Sequence, residues 1–407
     1  MQRFFRNLGI DPRFSSMVLA LVVIWIALQI LTGGLFLTPR NLYNLSIQTC
    51  VTAVMACGMV FVIVARQIDL SVGSLLAFTG MVLAYTQVHI FAAGTALGGS
   101  NLAWVISILV GIAVGVLVGI FQGMWVSIAG IPAFVVTLAG YLMYRGAAFL
   151  VTDGQTISPL HPTYERIGGG IGGSIGPTAS SILGVVAAIW VVFHVWNTRH
   201  QRQRYGATQA PVWADALKVV VGCVVIAGFI YMMNAYPDPS NRDAAGDPIG
   251  KGIGIPVLIL LTVMIVLTFI ATRTRFGRYV FAYGGNPEAA LLSGISTKRL
   301  LISIFALMGS LSAIAAVITT ARLNSGANSI GTLQELYVIA ATVIGGTSLS
   351  GGLGSIPGAV IGALIIQSLD NGMVLLDVSS AQRQIFIGLI LIGAVWFDTV
   401  YNKRMGR

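Results

Sequence analysis

The sequence predicts an all-α, polytopic helical membrane protein: one transmembrane domain, residues 1–407, with about ten to thirteen transmembrane helices and broken or re-entrant segments. Three observations predict it. Hydrophobic residues make up 56% of the chain and charged residues only 9%, where a soluble domain carries about 25% charge. The mean hydropathy is +0.88. The apolar residues fall in runs close to the ~20 residues a helix needs to cross a bilayer, and most Lys and Arg lie in the short stretches between runs.

In order, the runs fall near 16–37, 45–65, 69–90, 103–127, 132–151, 178–196, 217–235, 254–271, 300–320, 336–350, 355–370 and 385–401. Twelve crossings return the chain to the side on which it starts. All but seven of the 23 Lys and Arg then share the side of the N-terminus, the seven being Arg40, Arg145, Arg166, Arg242, Lys251, Arg322 and Arg383. Basic loops stay in the cytoplasm, which puts the N-terminal tail 1–15, both termini and the loop 272–299 there. The opening MQRFFRNLGIDPR leads into an apolar run too long for a signal sequence and lacking a small-residue cleavage site, so the first run reads as a retained anchor. The run at 336–350 is short and glycine-rich, and a re-entrant path there would change the count. The net charge of +10 is spread over loops and not gathered on one soluble face, so no nucleic-acid partner is expected.

Several features read as structure. Gly111, Gly115, Gly119 and Gly123 recur every four residues and line one helix face, where a neighbouring backbone can come close. Cys50, Cys57 and Cys223 fall inside runs, as small buried hydrophobes do. With His89, His161, His194 and His200 scattered, no metal site is expected. The loop 152–180 is rich in Gly and Pro and reads either as a passive linker or as a surface that meets a soluble partner. In the loop 236–252, Asp238, Asp243 and Asp247 do not have EF-hand spacing, so it reads as solvated.

Three stretches carry polar chemistry. The first is 273–299, basic where its surroundings are oily. Asn286 can cap a helix, Pro287 suits its first position and Glu288 its first turn. Ala289, Ala290, Leu291 and Leu292 are good helix formers and offer an apolar patch, and Gly294 can end the helix in the left-handed conformation. So short a helix is marginal unless something packs on it, which makes it a docking element. The second stretch runs from Val64 to Ser74. Asp69 lies at or inside the bilayer boundary, where charge is costly. Ser71 can cap the next helix, Gly73 admits a close backbone, Ser74 adds a hydroxyl, and Arg66 is spaced to pair with Asp69. This predicts a broken helix facing a polar pathway; the alternative is a plain helix cap at the interface. The third stretch is Ile344 to Ser355, where Thr347 and Ser348 sit in a glycine-rich interruption that weakly echoes the second. Asn371, beside Asp370, either lines the outer vestibule or faces water.

Absences narrow the function. No GxxxxGK[ST] loop is present, so the chain does not use ATP by that route. No HExxH and no nucleophile beside a His is present, and no catalytic residue is assigned. No Asp or Glu falls centrally in a run, as proton-driven transport would want. What is left is a pore whose energy enters through the 272–299 loop.

Four ordered motifs carry a resemblance: GMVFVI leading into IDLSVGS (58–63 and 68–74), PAFVVTLAG (132–140), GGNPEAA (284–290) and IGGTSLSGG (344–352). Over about residues 38–400 the chain resembles the permease subunits of bacterial ATP-binding-cassette monosaccharide importers. The extra helices around 178–235 and the run Ser368-Leu369-Asp370-Asn371-Gly372-Met373 are most similar to the D-xylose-importing branch. The resemblance implies a homodimer of permeases, two copies of a cytoplasmic ATPase subunit that uses ATP and Mg, and a periplasmic sugar-binding protein. It implies location in the bacterial inner membrane and no cofactor on this chain. It maps the ATPase-coupling loop onto Asn286 to Gly294. Leu291 stands where many members carry Arg, so one ionic contact is missing here or comes from Arg278 or Arg299. Ribose, galactose or a nucleoside remains as alternative cargo, and an ion-coupled carrier as the alternative class.

Overall fold

A helix that is apolar on every side belongs at the centre of a bundle, and one such helix organises this fold. It spans Pro39–Val64, and its most apolar stretch is 94% buried. The computed structural model describes residues 12–91, 101–206, 211–242, 246 and 248–404. The expected tail 1–15 lies largely outside them. In chain order the elements are α1 Pro12–Leu31, α2 Pro39–Val64, α3 Val72–Tyr85 continued by a π-helical turn Thr86–Ile90, α4 Asn101–Ser127, α5 Ala133–Leu150, α6 Pro162–Glu165, α7 Gly176–Arg204 and α8 Val212–Asn234. A strand pair follows, β1 Pro237–Arg242 antiparallel to β2 Pro248–Gly250. Then come α9 Ile255–Arg273, α10 Arg275–Gly285, α11 Pro287–Leu292, α12 Thr297–Leu323, α13 Gln334–Ile344, α14 Ile356–Leu375 and α15 Ser380–Arg404.

Among the described residues ten helices are long and apolar enough to cross a membrane; α13 and the apolar part of α15 are shorter. The span expected at 336–350 is therefore corrected. At 11 residues α13 is roughly 16 Å long by helix rise, about half a bilayer core. The other half of that crossing is the non-helical segment 324–333, which doubles back along α3. Gly326 packs beside Ala84 and Met81, Ile330 reaches Gly80, and Gly331 lies against Gly73. Non-helical backbone survives at membrane depth only when protein or a water-lined cavity surrounds it, and here protein does.

The glycine stripe of α4 lies on α12. A Cβ at Gly115 or Gly119 would overlap the carbonyl oxygen of Gly309 or Phe305, so the two backbones touch where side chains normally keep helices apart. The loop 152–180 is not a free linker. Tyr164 is fully buried, its hydroxyl donating to the Val317 carbonyl at 3.0 Å and 2.6 Å from Thr320 Oγ1. Ile157 pairs with Gly326 across a backbone bridge. The loop 236–252 forms the β1–β2 pair and not an irregular solvated turn; Asp243 and Asp247 lie outside the described residues. The α7–α8 hairpin stands at the side of the bundle, packed mainly on itself.

Candidate functional site

At one end of the bundle, α10 lies along the surface with Gly277, Val280 and Gly284 turned inward, and α11 follows it. Asn286 Oδ1 accepts the Ala289 N–H at 3.0 Å, and Pro287 takes the first helical position, where no N–H is needed. The exit is a Schellman closure: Ile295 N–H donates to Ala290 O at 3.1 Å and Gly294 N–H to Leu291 O at 3.0 Å, with Gly294 at φ +80°. Ala290 is buried against the bundle, so it is not part of the patch that the sequence suggests; Leu291 and Leu292 are 61% and 90% exposed. Glu288 and Ala289 are also exposed. The helix is thus short, capped at both ends, and presents two leucines outward.

The same end is tied to the bundle centre through Arg66. This residue holds a left-handed φ of +60°, a conformation that costs a non-glycine residue about 1 kcal/mol or more. Its guanidinium donates from Nε to Gly284 O and from Nη2 to Gly285 O, both at 2.7 Å. The Gly352 N–H donates to Val64 O at 3.0 Å. The turn after α2, the entry to α11 and the glycine-rich 345–355 segment thus meet at one backbone junction. Arg66 does not pair with Asp69, contrary to the sequence expectation, because its side chain turns toward these carbonyls.

Asp69 is 1% exposed and is held by its own chain. Its Oδ1 accepts the Ser71 N–H at 2.8 Å and the Ser71 hydroxyl at 2.6 Å. Gln122 Nε2 of α4 donates to Ser71 Oγ at 2.7 Å, and Thr137 Oγ1 of α5 donates to Ile68 O at 3.2 Å. Asp69, and not Ser71, therefore supplies the side-chain acceptor at the start of α3. The network lies about 8–10 Å from the bundle end, judged by the five residues from Gln122 to the end of α4 and the seven from Ala133 to Gly140, which packs on Ser71.

The re-entrant segment 324–333 and the start of α13 bring in residues that the sequence did not single out. Glu335, in the first turn of α13, is 5% exposed. A Cβ on Gly73 would overlap its Oε2 and the Gly331 carbonyl, so the N-termini of α3 and α13 converge there. Just before Gly331 in the chain, Asn328 O and Ile330 O accept from Arg145 Nη1 at 2.7 Å and 2.9 Å. Arg145 is thus no outer-loop residue but part of α5 that grips the re-entrant segment. Beside them, Thr52 Oγ1 of α2 accepts from Gln334 Nε2 at 2.7 Å and Gln367 Nε2 at 2.9 Å. The expectation of no central carboxylate fails at Glu335 because 336–350 does not run as a continuous span. The polar edge of that run folds inward and not to the surface.

Of the remaining candidates, Thr347 and Ser348 are buried near the Arg66 junction, and Ser348 N–H donates to Leu353 O at 3.0 Å. They are far along the chain fold from Asn371, which is buried near the opposite end and accepts from Asn41 Nδ2 at 2.9 Å. Asn371 does not simply face water. At that end, a cavity of about 310 Å³ is lined by Arg166, Ser174, Asp238 and Lys251. Lys251 Nζ sits 5.1 Å from the ring centres of both Tyr43 and Tyr236; burial holds its pKa below the usual lysine range, and Asp238 partly offsets that. Among the described residues no cluster of His, Cys, Asp and Glu is placed to hold a metal ion.

Among the described residues, nine long apolar helices around a buried tenth, two interrupted helices whose ends meet inside, and a basic end presenting a capped helix define a multi-pass membrane permease. Comparison with known proteins agrees. Residues 41–395 match the family model described as the branched-chain amino acid transport system permease component, and the chain belongs to that family. It is a transport component and not an enzyme. The chain is 42% identical over 401 residues to the Haemophilus influenzae xylose transport system permease protein XylH, covering 98% of this chain and all of that one. It is 38% identical to Escherichia coli XylH, covering 95% of this chain and 92% of that one. It is 32% identical to the Bacillus subtilis ribose import permease protein RbsC, covering 93% and 91%. No solved structure matches.

Proposed function

We propose that this chain is the membrane subunit of an ATP-binding-cassette importer that carries D-xylose across the bacterial inner membrane. Two copies form the passage, two ATPase subunits dock on the 272–299 loop and use ATP and Mg, and a periplasmic binding protein delivers the sugar. The chain itself binds no cofactor. Both termini and the loop are cytoplasmic, which the positive-inside bias supports. The choice of xylose over ribose rests on the higher identity to the XylH proteins.

What carries the coupling role is α11. Its outward leucines offer a partner an apolar foothold, while Ala290 and the Arg66 junction bind it to the bundle, so a push on α11 moves the start of α3 with it. The remaining pathway candidates are Asp69, Ser71, Gly73, Ser74, Thr347, Ser348 and Asn371. The test is copurification of an ATPase with the tagged chain, followed by ATP-dependent uptake of labelled xylose and ribose in vesicles. Glu288→Arg is expected to leave insertion intact and abolish coupled uptake, since it places a cation at the positive end of the helix and reverses the charge offered to the partner. Normal uptake by that variant would remove α11 from the coupling role. Sugar accumulation without an ATPase would overturn the importer class.

A further inference from the structure

The interior holds polar groups that its own fold does not satisfy. Glu335 Oε2 and Arg145 Nη2 are buried without a hydrogen-bond partner among the described residues, and so is Ser74 Oγ, one residue beyond Gly73. Buried polar atoms are nearly always paired, and an unpaired one costs stability. Charged groups at membrane depth are rarer still and mark pathways. By helix rise, Gly73 lies two residues further in than Ser71, roughly 11–13 Å from the bundle end and close to half of a ~30 Å core. Two helix N-termini, those of α3 and α13, meet at this level, and their dipoles favour a carboxylate or an oxygen-rich guest.

The chemistry of the groups specifies the guest. A carboxylate oxygen accepts and a guanidinium nitrogen donates. A neutral molecule that carries hydroxyls meets both needs, because each hydroxyl can donate to one and accept from the other. An apolar solute satisfies neither. Arg145 also grips the middle of the segment 324–333, through Asn328 and Ile330, and Glu335 follows that segment in the first turn of α13. The segment 324–333 is not helical and is held in place by the Ile157–Gly326 bridge and by Arg145.

We propose that Glu335 and Arg145 form a half-depth station on the passage, Glu335 Oε2 accepting a hydrogen bond from a sugar hydroxyl and Arg145 Nη2 donating one to a sugar oxygen. The assignment rests on the importer reading above. With only two charged contacts, the station holds sugar weakly enough to release it.

The experiment uses the complete importer, permease with ATPase and binding protein, in sealed vesicles at sugar concentrations that saturate the binding protein. Uptake of D-xylose and of each singly deoxygenated xylose is measured beside ATP hydrolysis for wild type, Glu335→Gln and Arg145→Lys. Glu335→Gln keeps the shape and removes the charge, and is expected to slow xylose uptake about tenfold, the scale of one charged hydrogen bond, with assembly and hydrolysis kept. For one deoxy sugar the wild type and Glu335→Gln should converge, since the hydroxyl that Glu335 would bind is already gone; a purely structural role cannot produce that convergence. An equal loss on every analogue, or no loss on any, overturns the station while leaving the importer standing. Wild-type vesicles that accumulate no monosaccharide overturn the importer reading and the station with it.

Discussion

Two buried carboxylates stand at the starts of α3 and α13, and they are used differently. Asp69 accepts from the backbone and side chain of Ser71, both at Oδ1, and so fixes the start of α3. Glu335 sits against Gly73 with one oxygen unpaired. The comparison separates an acid that builds the pathway wall from one that the wall leaves available. Burial alone does not make that distinction, since both are at least nine-tenths hidden.

Substitutions at four positions sharpen or break this contrast. The largest effect is expected from Gly73→Ala. Its methyl meets the end of the Glu335 side chain, which must turn away, and the backbone carbonyl of Gly331, which must shift, and the yield of folded, detergent-stable protein should fall sharply; a normal yield would show that α3 and α13 do not converge as described. Asp69→Ala comes next. It strands the Ser71 donors in the interior, a loss of about 1–3 kcal/mol, read as a lower melting temperature, while Asp69→Asn recovers part of it. The network makes stability, ahead of transport, the first casualty. Arg66→Ala keeps the left-handed strain and loses both carbonyl contacts, costing about 1–2 kcal/mol. Arg66→Gly removes the strain as well and should melt higher than Arg66→Ala. The smallest effect is expected from Glu335→Gln, whose melting temperature should match wild type within the equivalent of about 0.5 kcal/mol. A large drop there would erase the difference between the two acids.

How much of this was legible in the sequence depends on how local the signal is. The α11 cap needs only Asn286, Pro287 and Gly294 in the right order, and the structure puts each in the expected geometry. The glycine stripe needs only a period of four. Glu335 and Arg145 carry no such signal. Glu335 reads as the polar edge of an apolar run, and Arg145 as a basic residue near a span end. Only the return of 324–333 along α3 brings them to Gly73, and that return is decided by packing. Tyr164 was hidden in the same way: its loop is as rich in Gly and Pro as a linker, and its anchor lies more than 150 residues away on α12.

The α7–α8 hairpin leaves and rejoins the bundle through a single doorway. The Ile255 N–H donates to Gly173 O at 3.0 Å, the Ile175 N–H to Ile253 O at 3.1 Å and the Gly176 N–H to Lys251 O at 3.0 Å. The two cut ends of an excised hairpin would therefore already be touching, and splicing them would remove two crossings at once. Parity is kept, so every later segment would still enter the bilayer from its present face. This part of the molecule is a cassette, open to gain or loss in a single genetic event without rewiring the channel it leans on.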